Sequence, residues 1–334
     1  MSIAGAGAAD QFGIGWDIRD RARLHELWDE VLSSGRWSEG PMTSRFETAW
    51  SEWNEAGAVA TASWTGAAMA ALAFARVRGE TVLCPSNTFM ATPLAAVNAG
   101  AKVEFVDCNR DDLCVSFADF ERAAEKHKPK AALVVHIGGH IAFEIDKIAD
   151  YCRANDIFLI EDCAHAHGAD WNGRRPGTWG DAGLWSFYAT KTVSTGEGGM
   201  LVSGNEELLE FARKFRNYGK PEHEVDGLNF RLSEFTAAIG VVQTERMPEI
   251  VAWKNAIARA KLDGAHPGRL ELPDGMTSGL YKYIVFDPIE RSTGKVYDQP
   301  CHRLMGYAVD LPNSDWVASN HWCVPIYYKG GEGE

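Results

Sequence analysis

The chain of 334 residues lacks any Cys-x-x-Cys pair, any apolar run long enough to cross a membrane and any excess of basic charge. Each absence removes a class of protein. Its seven cysteines (Cys84, Cys108, Cys114, Cys152, Cys163, Cys301 and Cys323) are scattered and odd in number. That argues against a disulfide framework and fits a reducing cytoplasm. Thirty-three basic residues against 46 acidic ones give a formal charge of −13. Nucleic acid and an anionic membrane surface are therefore poor partners, and an anionic substrate would need local positive groups. The opening MSIAGAGAADQFGIGW has neither the basic n-region nor the long apolar core of a signal peptide. GAGAAD (5–10) lacks the third glycine and the preceding strand of a dinucleotide loop. No internal repeat is present. The small-residue stretch 2–9 and the tail GGEGE (330–334) read as flexible.

What is there is ordinary globular composition, 46% hydrophobic and 24% charged, in a chain long enough for a large core and a smaller domain. Strand-like runs alternate with helical patterns. TVLCPS (81–86), KVEFVD (102–107), AALVVH (131–136) and IFLIED (157–162) read as strands. ATPLAAVNAGA (91–101), FADFERAAEKHK (117–128), FEIDKIADYCRAND (143–156) and EELLEFARKFRNYG (206–219) read as helices. The alternation predicts an α/β fold, a mainly parallel sheet flanked by helices. A long helical stretch, 233–262, is expected to be interrupted near Pro248, and the pattern then changes to short strands and turns. We therefore read 1–250 as a large domain and 251–334 as a small α+β one.

In such sheets, ligands bind beyond the carboxyl ends of the strands. Those exits carry Pro85 to Phe89, Asp107, His136 and Glu161-Asp162. SWTGAAMAALAF (63–74) opens a helix at Thr65 and Gly66, and a helix start offers unpaired N–H groups to phosphate. Lys191 stands alone among hydroxyls and glycines in SFYATKTVSTGEGGMLV (186–202). His165 and His167 have H-x-H spacing, but no Cys or acidic cluster completes a metal site around them, so no metal is expected. A helix-start phosphate seat, a strand-end carboxylate, an aromatic ring and a lysine together suit pyridoxal phosphate. The carboxylate keeps the pyridine nitrogen protonated, and the lysine forms a Schiff base and shuttles a proton.

The motifs then resemble one family. SGRWSEGP, FETAW, VLCPSNTFMATPLAAVNAGAKVEFVD, IEDCAHAHGA, GDAGLWSFYATK, GEGGMLV, RNYG and LNFRLSEFTAAIG occur in the order found in the DegT/DnrJ/EryC1/StrS sugar aminotransferases, from about Ser34 to about Met247. The resemblance implies the aspartate aminotransferase fold (fold type I), a homodimer with shared sites and the following roles. Lys191 would bear the cofactor and Asp162 would pair with the pyridine nitrogen. Phe89 and Ala164 would flank the ring, and His165 would stand near the phenolic oxygen. Thr65, Gly66 and Ser186 would hold the phosphate, and Asn229 would reach the phosphate of the neighbouring subunit. The glycines of TGEGG would let backbone approach the site.

The C-terminal part departs from the family. LYKYIVFDPIERSTGKVYDQPCH (280–302) leaves little room for the helix that usually follows the Y-x-Y strand, and VPIYYKGGEGE stands where a last helix is usual. His302 matches a family histidine near the substrate cleft, or is a turn residue. The function implied is amino transfer from glutamate or glutamine to a nucleotide-linked keto sugar. A keto-cyclitol or aminohydroxybenzoate-type reaction is the alternative within the family, and a non-catalytic cofactor-binding regulator the alternative outside it. Dehydrating relatives carry His where this chain has Lys191.

Overall fold

The computed structural model describes residues 15–327. The stretches 2–9 and 5–10 and the tail 330–334 lie outside them. The first described element is α1 (Ile18–Ser34), which the sequence reading did not mark. A reciprocal capping box starts it: the Asp17 side chain accepts from Arg19 N and Asp20 N, and Asp20 returns a bond to Asp17 N. Then follow α2 (Pro41–Asn54), β1 (Gly57–Thr61), α3 (Trp64–Phe74), β2 (Thr81–Pro85), α4 (Ala91–Asn98) and β3 (Lys102–Val106). After them come α5 (Phe117–His127), β4 (Ala131–Val135), α6 (Ile145–Ala154), β5 (Phe158–Asp162), β6 (Asp170–Trp171), β7 (Ala182–Ser186) and β8 (Gly199–Ser203). The chain continues through α7 (Glu206–Phe215), α8 (Glu234–Ile257), β9 (Met276–Thr277), β10 (Tyr283–Val285), α9 (Cys301–Leu304), α10 (Pro312–Ser319) and β11 (Trp322–Val324).

Seven strands form the main sheet in the order β1-β8-β7-β5-β4-β2-β3. The five from β7 to β3 are parallel; β8 runs antiparallel to both of its neighbours, β7 and β1. The expected α/β architecture is therefore present, as a mixed sheet flanked by helices. Six of its seven strands bury side chains on both faces, and the edge strand β3 keeps Lys102 exposed. In β4, Ala132 and Val134 join the core under α1, α2 and α8, while Ala131 and Leu133 join the core under α3 and α7.

One helix boundary differs from the sequence reading. The helix α8 continues through Pro248 instead of breaking there, and runs into a π-helical turn, Ala258–Leu262. The missing proline N–H leaves a gap in the helix ladder. The short antiparallel pair β10–β11 and the helices α9 and α10 make up the last part of the described chain. Among the described residues no helix lies between Val285 and Cys301, where the family pattern usually has one. Among the described residues no helix is long and apolar enough to cross a membrane.

Strand alternation also sends the two acids of IFLIED to opposite faces. Glu161 is fully buried and organises the turn that leads into β7. Its carboxylate accepts from Gly177 N (2.8 Å), Trp179 N (2.6 Å), Gly180 N (2.7 Å) and His136 Nε2 (2.8 Å). His136 is fixed as an Nε2 donor because its Nδ1 accepts from Ala142 N at 3.0 Å. The turn packs so closely on β7 that a Cβ at Gly183 would fall 2.4 Å from the Cα of Gly177. Replacing Glu161 strands three backbone N–H groups and an imidazole in the interior. Glu161→Ala should lower unfolding free energy by about 3–5 kcal/mol, read from urea unfolding; a loss under about 1 kcal/mol would contradict the role.

Candidate active site

Asp162, the other acid of IFLIED, points from the end of β5 toward α3 and α4. Its Oδ1 accepts from Trp64 Nε1 (3.1 Å) and Ala164 N (3.0 Å), and its Oδ2 from Thr92 Oγ1 (3.0 Å). Thr92 is steadied in turn by Thr88, 2.9 Å away. One carboxylate thus ties together the starts of α3 and α4 and the loop after β5. Burial raises its pKa, and the bonds from Ala164 and Thr92 and the charge of Lys191 only partly oppose that shift.

A cavity of about 470 Å³ opens beside it. Asp162, Lys191, Ser63, Thr65, Phe89, Ala164, His165 and Ser186 all line it. Burial is the main reason why the Lys191 amine is lowered to about 8; nearby Lys282 lowers it further, and Asp162 opposes both. A lysine in that state exchanges protons readily near neutral pH. Its Nζ lies 4.9 Å from the centroid of the Tyr281 ring. His165 stacks on the same ring at 4.2 Å, with Tyr297 at 5.8 Å. Its Nδ1 accepts from Gly138 N at 3.4 Å, which leaves the proton on Nε2. Burial, and then the charges of Lys191 and Lys282, hold His165 far below the usual histidine range, so the ring is neutral.

The start of α3 forms one end of the cavity. Ser63 is the N-cap and accepts from Gly66 N, while Thr65 is exposed at the first turn. Backbone crowding explains the glycines here. A Cβ at Gly199 would fall 2.3 Å from the carbonyl of Ser63, so β8 can lie against the helix start only as glycine. A Cβ at Gly66 would fall 2.9 Å from Phe230. Gly66 is therefore small because the segment before α8 packs on it, and it is not among the residues that line the cavity.

Phe89 sits at the mouth, 65% exposed. Asn229 is exposed and does not line the cavity of its own chain; its Oδ1 accepts from Arg231 N. His302 lies elsewhere, fully buried in α9, with Nδ1 2.6 Å from Ser86 Oγ and Nε2 3.7 Å from Asp315. It locks α9 to the end of β2 and does not line the cavity. Among the described residues two buried clusters of metal-type side chains occur, Asp112–Cys114–His140 and His136–Glu161–Cys163, and neither includes His165 or His167. The sequence reading missed Trp64, Thr92, Tyr281, Lys282 and Tyr297. Trp64 adjoins the marked Thr65, so its position in the helix start was a usable signal. Tyr281 reaches Thr190 Oγ1 (3.2 Å) across 91 residues of sequence, for which no local signal exists.

The model of the DegT/DnrJ/EryC1/StrS aminotransferase family matches residues 19–267. GDP-perosamine synthase of Vibrio cholerae is 35% identical over 258 residues, which cover 74% of this chain and 69% of that protein. The dTDP-3-amino-3,4,6-trideoxy-alpha-D-glucose transaminase of Micromonospora megalomicea subsp. nigra is 31% identical, covering 92% of this chain and 91% of its own. The crystal structure of S. venezuelae DesV in complex with a ketimine intermediate superposes with a TM-score of 0.86 at 28% identity, covering 92% and 90%.

The depressed Lys191 amine makes a prediction about stability. Below pH 8 both folded and unfolded chains carry the proton, and the cost of burying the charge is fully present. Between about 8 and the ordinary value of 10.5 the folded chain releases it first, so the cost is relieved as pH rises. In the ligand-free chain, Lys191→Met should be the more stable form at pH 7, by on the order of 2–4 kcal/mol. That advantage should fade by pH 10. Urea unfolding of both chains across this range checks it, and a gap that does not change with pH would contradict it.

Proposed function

The chain belongs to the DegT/DnrJ/EryC1/StrS aminotransferase family, and from that membership we propose that it moves an amino group from glutamate or glutamine to a keto group of a nucleotide-linked sugar, with pyridoxal 5'-phosphate as cofactor. The observation that carries this reading is the meeting of Lys191 with a buried, triply hydrogen-bonded Asp162 in one cavity at a helix start. This donor set fits the cofactor: a carboxylate for its ring nitrogen, an amine of lowered pKa for its aldehyde, and N–H and hydroxyl groups for its phosphate. The names of the Vibrio and Micromonospora relatives support a nucleotide-linked acceptor.

When bound, pyridoxal phosphate supplies an aldehyde and a ring that accepts electrons. The chain's own groups do the rest. Asp162, held by Trp64, Thr92 and Ala164, keeps a positive charge on the ring nitrogen. The Lys191 Nζ would hold the aldehyde and would serve as the group that takes and returns the proton. His165, neutral with its proton on Nε2, would donate toward the phenolic oxygen. Thr65 and Ser186, which line the cavity, would hold the phosphate, Gly66 would serve only by letting Phe230 pack against the helix start, and Phe89 and Ala164 would flank the ring. We read 1–250 as the cofactor-binding domain and 251–334 as a reduced small domain that completes the substrate cleft. The seven free cysteines, all buried, support a reducing, cytoplasmic setting.

A panel of nucleotide-linked keto sugars, each offered with glutamate and with glutamine, tests the reaction. Mass spectrometry should find an aminated sugar from at least one pair, together with the keto acid of the donor. Cofactor-loaded protein that aminates none of them would overturn the reading.

We further propose a homodimer in which Asn229 donates to the cofactor phosphate of the partner chain. Asn229 is exposed and outside its own cavity, which supports a role across an interface. Lys191→Ala alone should be inactive, and Asn229→Asp weak, because a carboxylate would face a phosphate. Co-expressed, they should form hybrid dimers with one site that has both native residues, and activity should rise well above either variant. A mixture no more active than its components would show that Asn229 acts within its own chain.

A further inference from the structure

Three lysines line the cavity, Lys191, Lys282 and Lys295. The amine of Lys295 is already committed: it donates to Ser319 O at 2.8 Å and lies 3.7 Å from the centroid of the Trp322 ring. Lys191 belongs to the reaction. Lys282 is different. Among the described residues its amine has no hydrogen-bond acceptor and no carboxylate partner; it lies 5.2 Å from the centroid of the Tyr281 ring and near the Cys323 thiol. The two acids of the cavity wall are Asp162 and Glu197. Asp162 is taken up by Trp64, Thr92 and Ala164, and Glu197 forms no ion pair with Lys282. Burial holds the Lys282 amine below the ordinary lysine range. An ammonium drawn partly out of water without an anion is costly, and that cost is offset when an anion arrives.

The backbone under Lys282 is fixed even though its amine is free. Lys282 N donates to Gly138 O at 2.8 Å. The preceding Leu280 O accepts from the buried Lys254 amine at 3.1 Å, and the Tyr281 hydroxyl meets Thr190. The amines of Lys191 and Lys282 share one aromatic ring, at 4.9 and 5.2 Å from its centroid. A ligand amino group that takes the place of the Lys191 nitrogen would carry its α-carboxylate two bonds away, over that same ring.

We propose that Lys282 is the seat for the α-carboxylate of the amino donor. This rests on the aminotransferase reading above. It gives glutamate and glutamine a common anchor, since both carry that carboxylate, and it supplies the local positive group that a chain of charge −13 needs for an anionic substrate. Lys282 is thus a donor-binding residue, separate from the groups assigned to the cofactor.

The test uses the cofactor-loaded protein and the variants Lys282→Met and Lys282→Arg. Single-turnover reaction with glutamate or glutamine, without acceptor, gives the donor's apparent dissociation constant and limiting rate. Lys282→Met should raise the constant at least about tenfold, as expected for loss of a charge-assisted hydrogen bond, with little change in the limiting rate. Lys282→Arg should recover most of the affinity, and the KM for the keto sugar nucleotide should stay within about twofold. Calorimetry with glutarate, which binds but cannot donate an amine, should show the same weakening. An unchanged donor constant overturns the proposal. So does a loss confined to the sugar nucleotide, which would assign Lys282 to the diphosphate. If the wild-type chain aminates no acceptor, the aminotransferase reading fails, and the glutarate arm still decides whether Lys282 binds a carboxylate.

Discussion

The structure depends on satisfying one carboxyl group where water is nearly absent. Asp162 lies at the carboxyl end of β5, 5% exposed, in a site whose burial favours the protonated form. Three donors from three parts of the chain oppose that tendency: the indole of Trp64, the hydroxyl of Thr92 and the amide of Ala164. Because each donor belongs to a different element, satisfying Asp162 also fixes how α3, α4 and the loop after β5 meet. The same alternation that turns Asp162 to this face turns Glu161 to the other, where it holds the turn before β7. One short strand therefore sets both the cavity floor and the approach of its neighbour.

Charge within the cavity follows from that floor. An ion in a low-dielectric pocket needs an opposite charge or a set of dipoles. The Asp162 charge raises the Lys191 pKa, but burial outweighs it, and Lys282 adds to the depression. Lys254 shows the other solution for a buried amine. Burial lowers it to about 7, and it is placed between Thr192 Oγ1 at 3.3 Å and Leu280 O at 3.1 Å. It thereby joins the segment after Lys191 to the segment that carries Tyr281 and Lys282. The lysine loop and the far wall of the cavity are held at a set distance by a residue that does not line the cavity.

What could be read from the sequence follows the physics of burial. AALVVH and IFLIED stand out because parallel strands covered on both faces are nearly continuous apolar runs. The segment GAVAT of β1 does not, because alanine and glycine suffice where α2 and α7 pack closely; a Cβ at Gly57 would fall 2.2 Å from Leu209. The helix α1 hides its buried Leu24, Leu27 and Val31 among charged residues, and only the Asp17 to Asp20 spacing marked its start. Pro248 misled in the opposite direction. A proline costs a helix one donor, yet Met247, Ile250 and Val251 are buried around it, and their packing keeps α8 continuous. Propensity yields to tertiary contact there.

The site divides along the same line. Lys191, Asp162 and the helix start at Thr65 are each local: a residue type at the end of a strand or the beginning of a helix. Tyr281, Lys282 and Tyr297 arrive from the region that departs from the family pattern, roughly a hundred positions along the chain from Lys191. Only the return of the chain through α8 and β10 brings them over the cavity. There a loop, 286–300, stands where a helix is usual, and it contributes Lys295, Val296 and Tyr297 to the wall. A helix in that place would satisfy its own backbone and present one face. A loop instead offers closely spaced side chains from consecutive residues, at the cost of anchoring its backbone elsewhere. That anchoring is visible: Val296 N donates to His321 Nε2 at 2.8 Å, Thr293 N to Cys323 O at 2.9 Å and Cys301 N to Ser86 O at 2.8 Å. The region thus keeps a defined wall because β11, the residue just before it and the exit of β2 supply hydrogen bonds in place of those a helix would have made within itself.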